Sequence, residues 1–208
     1  MINTILVEDD LYIQKHFVDR LAADGGFHLV GVFRDAFEAE KHCDATVKLV
    51  LMDVQTQRKH SGLAAAERIK KAFPQIKIVV ATSLVDPEVL QRAKMGAADS
   101  LWYKDSTQKR LMDVVRQTMA GEHIFPDAPP TVEIGMAKST EFTKTELKVL
   151  RHLMRGLSYT RIAAEMGCEM STVKFHVANM LQKTGLENKL QLALAVSDAK
   201  LIADLVEE

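Results

Sequence analysis

The strongest constraint on the fold lies in the first 120 residues, where five short apolar runs alternate strictly with segments of helical period. The runs are Thr4–Val7, Leu29–Phe33, Leu49–Met52, Ile76–Ala81 and Ser100–Tyr103, each of strand length and rich in β-branched or aromatic residues. Between them, Leu11–Ala23 sets Ile13, Phe17, Val18 and Leu21 on one face. Phe37–Cys43 repeats the pattern more weakly, and Leu63–Ala72 aligns Ala66 and Ile69 with Phe73. Pro87–Met95 opens on proline and precedes Gly96, which suits helix entry and exit, and Thr107–Met119 carries Leu111, Val114, Val115 and Thr118. Apolar strands separated by helices predict an α/β fold: a doubly wound, five-stranded parallel sheet covered on both faces.

The alternation then stops. Gly121 to Ser139 contains Pro126, Pro129, Pro130 and Gly135 without periodicity and reads as a linker over 121–140. An all-helical block over 141–208 follows. Thr143 and Glu146 have capping-box spacing before Leu147, Val149, Leu150 and Leu153. Gly156 ends that helix, Ser158 caps the next, Gly167 marks a tight turn, and Gly185 ends a third. Leu190–Leu205 forms a fourth. The expected architecture is therefore a domain over 1–120 and a small all-α, four-helix domain.

Composition narrows the functions. A chain of 208 residues with 47% hydrophobic residues can build two cores. With 27 Lys and Arg against 28 Asp and Glu, the net charge of −1 excludes a polycation that coats nucleic acid by charge alone. No apolar run reaches the roughly 18–20 residues of a membrane helix, and Met1 to Asp10 lacks a basic-then-apolar leader, so a cytoplasmic protein is expected. Cys43 and Cys168, far apart, read as inert thiols of a reducing compartment, and the seven histidines show no zinc spacing.

Sites in open α/β sheets form at the carboxyl ends of the strands. The first strand runs into Glu8, Asp9 and Asp10, the third into Asp53, the fourth into Thr82 and Ser83, and the fifth into Lys104. Hard carboxylate oxygens suit Mg²⁺. A central aspartate beside such a metal can attack a phosphoryl group, with the metal and Lys104 offsetting charge on its oxygens and Thr82 donating a hydrogen bond to it. Each residue alone is an ordinary polar strand end; their convergence carries the reading.

Ile5 to Asp9, Leu51 to Asp53, Thr82-Ser83 and Trp102 to Lys104 together resemble the flavodoxin-like receiver domain of two-component response regulators over about residues 1–120. The resemblance implies an acidic pair of Glu8 and Asp9, with Asp53 completing the Mg²⁺ ligands. It also implies that Asp53 is the phosphoacceptor, Thr82 the switch hydroxyl and Lys104 the phosphate-contacting lysine. The sequence departs from the family after Asp53. Gln57 stands at the usual proline, Gly62 comes one residue late, and the Gln55–Ser61 loop is basic and expected to be less rigid. Leu101 replaces the usual aromatic three positions before Lys104, with Trp102 and Tyr103 adjacent instead.

In the helical block, the third helix places Val173, Val177, Met180 and Leu181 on one face. Ser171, Phe175, Ala178, Asn179 and Gln182 lie opposite, flanked by Lys174 and Lys183, a face that suits a DNA major groove. A plain helical hairpin in a bundle would read similarly. Phe142 to Glu146, Gly156 to Ser158, Ile162-Ala163, Met166-Gly167 and Thr172 to Val177 closely resemble the LuxR-type helix-turn-helix, over about 141–205. With the receiver, the architecture resembles NarL/FixJ-type response regulators. The resemblance implies that Lys174, Phe175 and Ala178 face bases, that Thr172 and Lys183 lie nearer phosphates, and that Asn179 belongs to the same surface. It further implies a sensor histidine kinase, double-stranded promoter DNA and a homodimer built on Leu190–Leu205 as partners. Ala178 cannot hydrogen-bond a base, and Glu169 stands where a capping serine is frequent.

Charge is partitioned accordingly. Residues 138–183 hold eight Lys and Arg against four acids, and 184–208 hold two against five. Competing readings are weaker. An aspartyl-nucleophile hydrolase wants a second acid two residues on, where Gln55 stands. A dinucleotide enzyme needs a glycine-rich turn after the first strand, where Glu8 to Asp10 would repel phosphate. A regulator of the same architecture switched by a protein or ligand, rather than by phosphate, remains the alternative. Neither form of regulator is expected to be an enzyme.

Overall fold

In the computed structural model, which describes residues 1–104, 110–205 and 207, the chain separates into two compact units. The first comprises Met1–Pro129, joined by Leu205 and Glu207, and the second Pro130–Asp204.

The first unit is a parallel sheet ordered β2-β1-β3-β4-β5, with β1 Ile2–Val7, β2 Phe27–Phe33, β3 Leu49–Met52, β4 Lys77–Thr82 and β5 Ser100–Tyr103. Its helices are α1 Leu11–Asp24, α2 Ala36–Lys41, α3 Gly62–Ala72, α4 Pro87–Arg92 and α5 Leu111–Met119. The central strands read as continuous apolar runs because both faces are covered: all four residues of β3 are buried. One face packs Leu6, Leu51 and Val79 against Phe17, Leu21, Val114 and Val115. Each such fully buried side chain contributes about 1.5–3 kcal/mol over exposure.

Local chemistry sets the boundaries. Asp10 caps α1 by accepting from the Tyr12 and Ile13 amides at 2.9 and 3.0 Å, and Gly25 ends it in the left-handed region at φ 73°. Pro87 stands in the first turn of α4 behind its cap, Asp86. The expected helix to Met95 stops at Arg92, because the chain widens into a turn over Ala93–Ala97 that closes on Gly96 at φ 117°. The start expected at Thr107 lies outside the described residues; the helix is described from Leu111. Cys43 and Cys168 are both free, and burial pushes the Cys43 thiol up to about 11.

The stretch read as a linker is divided. Ile124 continues along the β5 edge, its amide donating to Ser100 Oγ at 3.0 Å and its carbonyl accepting from the Leu101 amide at 2.9 Å. Beyond Pro130 the chain folds into the second unit as a two-stranded hairpin, β6 Glu133–Ile134 and β7 Ala137–Lys138. The Met136 amide of its turn donates to the Thr184 carbonyl at 2.9 Å. Four helices follow: α6 Lys144–Met154, α7 Tyr159–Met166, α8 Met170–Thr184 and α9 Lys189–Asp198. The capping box of Thr143 and Glu146, the Ser158 cap and the left-handed Gly167 and Gly185 all stand where expected. The fourth helix is shorter than Leu190–Leu205. It ends at Asp198, where Lys200 turns left-handed at φ 52° and the Leu201 amide donates back to the Val196 carbonyl.

Asp99 gives a stability prediction. Its buried carboxylate takes Lys70 at 2.6 Å, Lys77 at 3.0 Å and the Ile78 amide at 2.8 Å. Burial opposes ionisation, but these partners outweigh it and hold the carboxyl below its usual range. A depressed pKa stabilises the fold above the unfolded value near 4, and that stabilisation is lost as pH falls through the folded value. Asp99→Asn is expected to cost about 2 kcal/mol at pH 7. In denaturant titrations the gap to the parent should begin to narrow as pH falls below the unfolded value near 4 and close only once pH lies below the lowered folded value, where both carboxyl states are neutral.

Candidate functional site

Backbone bonds beyond the strand ends fix the first cluster. The Glu8 amide donates to the Phe33 carbonyl, Asp53 to Val7 and Lys104 to Thr82, so the ladder delivers three functional side chains to one edge of the sheet. Glu8, Asp9 and Asp53 each offer an oxygen within 4.8 Å of the others. Lys104 Nζ lies 2.6 Å from Glu8 Oε2 and 2.7 Å from Asp53 Oδ2. Asp53 Oδ1 accepts from the Val54 amide at 2.7 Å.

The electrostatics follow from burial. Desolvation raises the Asp53 carboxyl against the pull of Lys104. Desolvation and then the Asp53 charge push Glu8 up to about 7. Burial alone would lower Lys104, yet Asp53 and Glu8 hold it above its ordinary value. Two crowded carboxylates with Asp9 at the rim offer clustered oxygens that fit a small, hard divalent cation, their negative charge only partly offset by the single Lys104 ammonium. Thr82 is fully buried, and its Oγ1 accepts from the Leu84 amide at 3.0 Å, so the hydroxyl holds the loop after β4. Trp102 packs edge-on against Phe17, while Tyr103 is buried beside β4 in register with Thr82, its hydroxyl without a hydrogen-bond partner among the described residues.

The loop after Asp53 is closed by its own bonds, unlike the looser loop expected. Gln55 bridges Ser61, the Gly62 amide donates to the Val54 carbonyl, and Thr56 Oγ1 donates to the His60 carbonyl at 2.7 Å. The extra residue is absorbed at Arg58 and Lys59, both left-handed at φ 58° and 60°. Gly62 touches the Asp53 carbonyl so closely that a Cβ would stand 1.8 Å from that oxygen.

Two supports of the cluster are not among the residues expected from sequence. Arg34 donates to the Asp9 carbonyl at 3.0 and 3.2 Å, and Gln14 donates to the Glu8 carbonyl at 2.8 Å. Arg34 directly follows β2, so it carries the same strand-end signal as the acids. Gln14 carries none, since its position on α1 reads as ordinary solvent face.

In the second unit, α7 and α8 meet across the Gly167 turn. Val173, Val177 and Met180 are buried, while Thr172, Lys174, Phe175 and Ala178 are exposed and Asn179 is half-buried. Glu169 holds the cap position of α8 without a side-chain capping bond. Lys183 is placed differently from its neighbours. Its ammonium binds both oxygens of buried Glu146 at 2.8 and 2.9 Å and the Glu141 carbonyl at 3.0 Å. Lys183→Gln is therefore expected to destabilise the second unit by about 2 kcal/mol. The salt slope of DNA binding should stay unchanged, whereas Lys174→Gln should reduce that slope by about one.

An acid-lined sheet edge with a buried lysine and hydroxyl, followed by a helix-turn-helix, defines a signal-receiving DNA-binding protein. Residues 4–116 match the response regulator receiver domain, and 140–196 match the bacterial regulatory proteins of the luxR family. The chain belongs to the response regulators, with a luxR-type DNA-binding segment behind its receiver. Response regulator protein VraR of Staphylococcus aureus is 28% identical over 207 residues, covering 97% of this chain and 99% of VraR. Among solved structures, RcsB from Salmonella enterica serovar Typhimurium bound to promoter P1flhDC superposes with a TM-score of 0.60 at 19% identity. That alignment covers 94% of this chain and 98% of RcsB. A structure of two RcsB dimers bound to two parallel DNAs gives 0.59 at 20% identity, over 94% and 98% of the two chains.

Proposed function

We propose that this response regulator is a transcription factor that accepts a phosphoryl group on Asp53 and binds promoter DNA through α8. The observation that carries the first half is the Lys104 ammonium bridging Asp53 and Glu8 at the carboxyl edge of the sheet. Asp53 Oδ attacks the phosphorus of a donor and the donor's own leaving group departs. Lys104 then lies beside the phosphoryl oxygens and offsets their charge. Glu8, Asp9 and Asp53 would hold Mg²⁺, which when bound supplies charge neutralisation for the incoming phosphate. The donor set of clustered carboxylate oxygens supports that assignment.

Phosphorylation adds about 1.5–2 negative charges beside Thr82. Rotation of the Thr82 side chain towards the phosphate, to which its O–H can donate, would draw its oxygen away from the Leu84 amide it now accepts from. The loop ahead of α4 thereby senses the modification. A sensor histidine kinase is the donor that a receiver implies.

DNA binding rests on the exposed face of α8 and on the excess of basic residues over 138–183. A homodimer reading two half-sites is supported by α9. Leu192 and Val196 close the domain core there, but Leu190 and Leu194 are 67% and 56% exposed. Among the described residues no helix is long and apolar enough to cross a membrane; a cytoplasmic setting follows from the proposed work on DNA. Selection of bound fragments from genomic DNA, with and without acetyl phosphate, tests the whole reading. Recovery of one shared sequence motif supports it, and recovery of unrelated fragments refutes it.

A further inference from the structure

A helix that reads bases through hydrogen bonds needs Arg, Lys, Asn or Gln in the middle of its outward face. The outward face of α8 has Phe175 there, 61% exposed, with exposed Ala178 three residues on and therefore beside it. The Phe175 ring meets His176 edge-on at 5.7 Å. Lys183, which would add a polar contact from the same surface, is committed to Glu146. Phe175 and Ala178 thus form an apolar patch on this surface, with half-buried Asn179 and exposed Gln182 beside it.

Two observations favour DNA over a protein as its occupant. Lys174 adjoins Phe175, and Ser171 and Thr172 present hydroxyls nearby, whereas the buried centre of a protein interface is depleted of charge. One ring and one methyl are also far smaller than the roughly 800 Å² per partner of a stable protein interface.

On the major-groove edges of the four base pairs the one apolar group is the C5-methyl of thymine. We infer that the half-site recognised by this protein carries thymines whose C5-methyls pack on the Phe175 ring and the Ala178 methyl. Its sequence preference then comes chiefly from methyl contact, with Lys174 beside the patch and Thr172 nearer the backbone. This inference rests on α8 being the base-reading helix.

The test uses the full-length protein and a site recovered by genomic selection, synthesised once with thymine and once with deoxyuridine at every thymine. Deoxyuridine removes the methyl and keeps every hydrogen-bonding group. The parent protein is expected to bind the deoxyuridine site about fourfold more weakly for each methyl buried, the factor one methyl is worth. Phe175→Ala, at an exposed position that leaves the core intact, should bind the thymine site more weakly and lose most of the discrimination. Lys174→Gln should weaken both sites equally and keep their ratio. Equal binding of both sites by the parent overturns the inference while leaving DNA binding by α8 standing. Discrimination that survives intact in Phe175→Ala overturns it too. An altered sedimentation coefficient of Phe175→Ala, together with unchanged DNA affinity, would assign the surface to a protein contact instead. Absence of any sequence-selective binding by the parent overturns the underlying assignment of α8 itself, a result distinct from lost discrimination.

Discussion

Asp53→Asn is expected to reduce incorporation of phosphoryl label from acetyl phosphate in Mg²⁺ to background. The Asp53 carboxylate lies 2.7 Å from the Lys104 ammonium and shares the oxygen cluster with Glu8 and Asp9. An amide keeps the shape and can still accept from the Val54 amide, so the fold should survive. What disappears is the anionic oxygen that attacks phosphorus and completes the cation's ligands. Intact-mass measurement after incubation with the donor checks it: the parent gains one phosphoryl group and the variant gains none. A variant that gains one shows that another residue is the acceptor.

Gly62→Ala is expected to be nearly as damaging, although Gly62 does no chemistry. Its Cβ would stand 1.8 Å from the Asp53 carbonyl oxygen and 2.9 Å from the carbonyl carbon. Backbone cannot yield as the tip of a side chain can. Either the loop bonds between Gln55 and Ser61 break, or Asp53 is displaced from Lys104. A cost of about 3 kcal/mol, at the upper end for overpacking, should lower the Tm of the first unit by about 10 °C. Labelling of Asp53 should slow in parallel. A melting curve within about 1 °C of the parent would show that the loop has another seating.

The contrast between these two residues shows what a sequence can reveal. Asp53 is legible because strand ends can be read from periodicity, and a polar residue directly after a buried run is conspicuous. The same reasoning locates Glu8, Thr82 and Lys104. The role of Gly62 depends on how the loop from Asp53 closes in space, through bonds such as Thr56 to His60 that no local pattern announces. Lys183 escapes for a related reason. A helical wheel places its Cα on the flank of α8, but a long side chain reaches where charge attracts it, and buried Glu146 lies across the domain on α6. The helix caps, by contrast, are strictly local chemistry. Thr143, Ser158 and Gly167 each sit beside the amides or carbonyls they satisfy, and a short stretch of sequence is enough to place them.

The excess positive charge over 138–183 is modest, so a single copy should bind DNA weakly and selectivity should depend on pairing two α8 helices. Under the proposed function, control of transcription lies in a coupling between Asp53 and the DNA affinity of the whole chain. The most direct test measures that affinity for a selected site, at fixed salt and protein concentration, with and without acetyl phosphate and Mg²⁺, for the parent and for Asp53→Asn. The donor is predicted to change the affinity of the parent severalfold and to leave the variant where it was. Equal affinities for the parent with and without donor, under conditions where mass measurement shows Asp53 fully phosphorylated, would contradict that coupling.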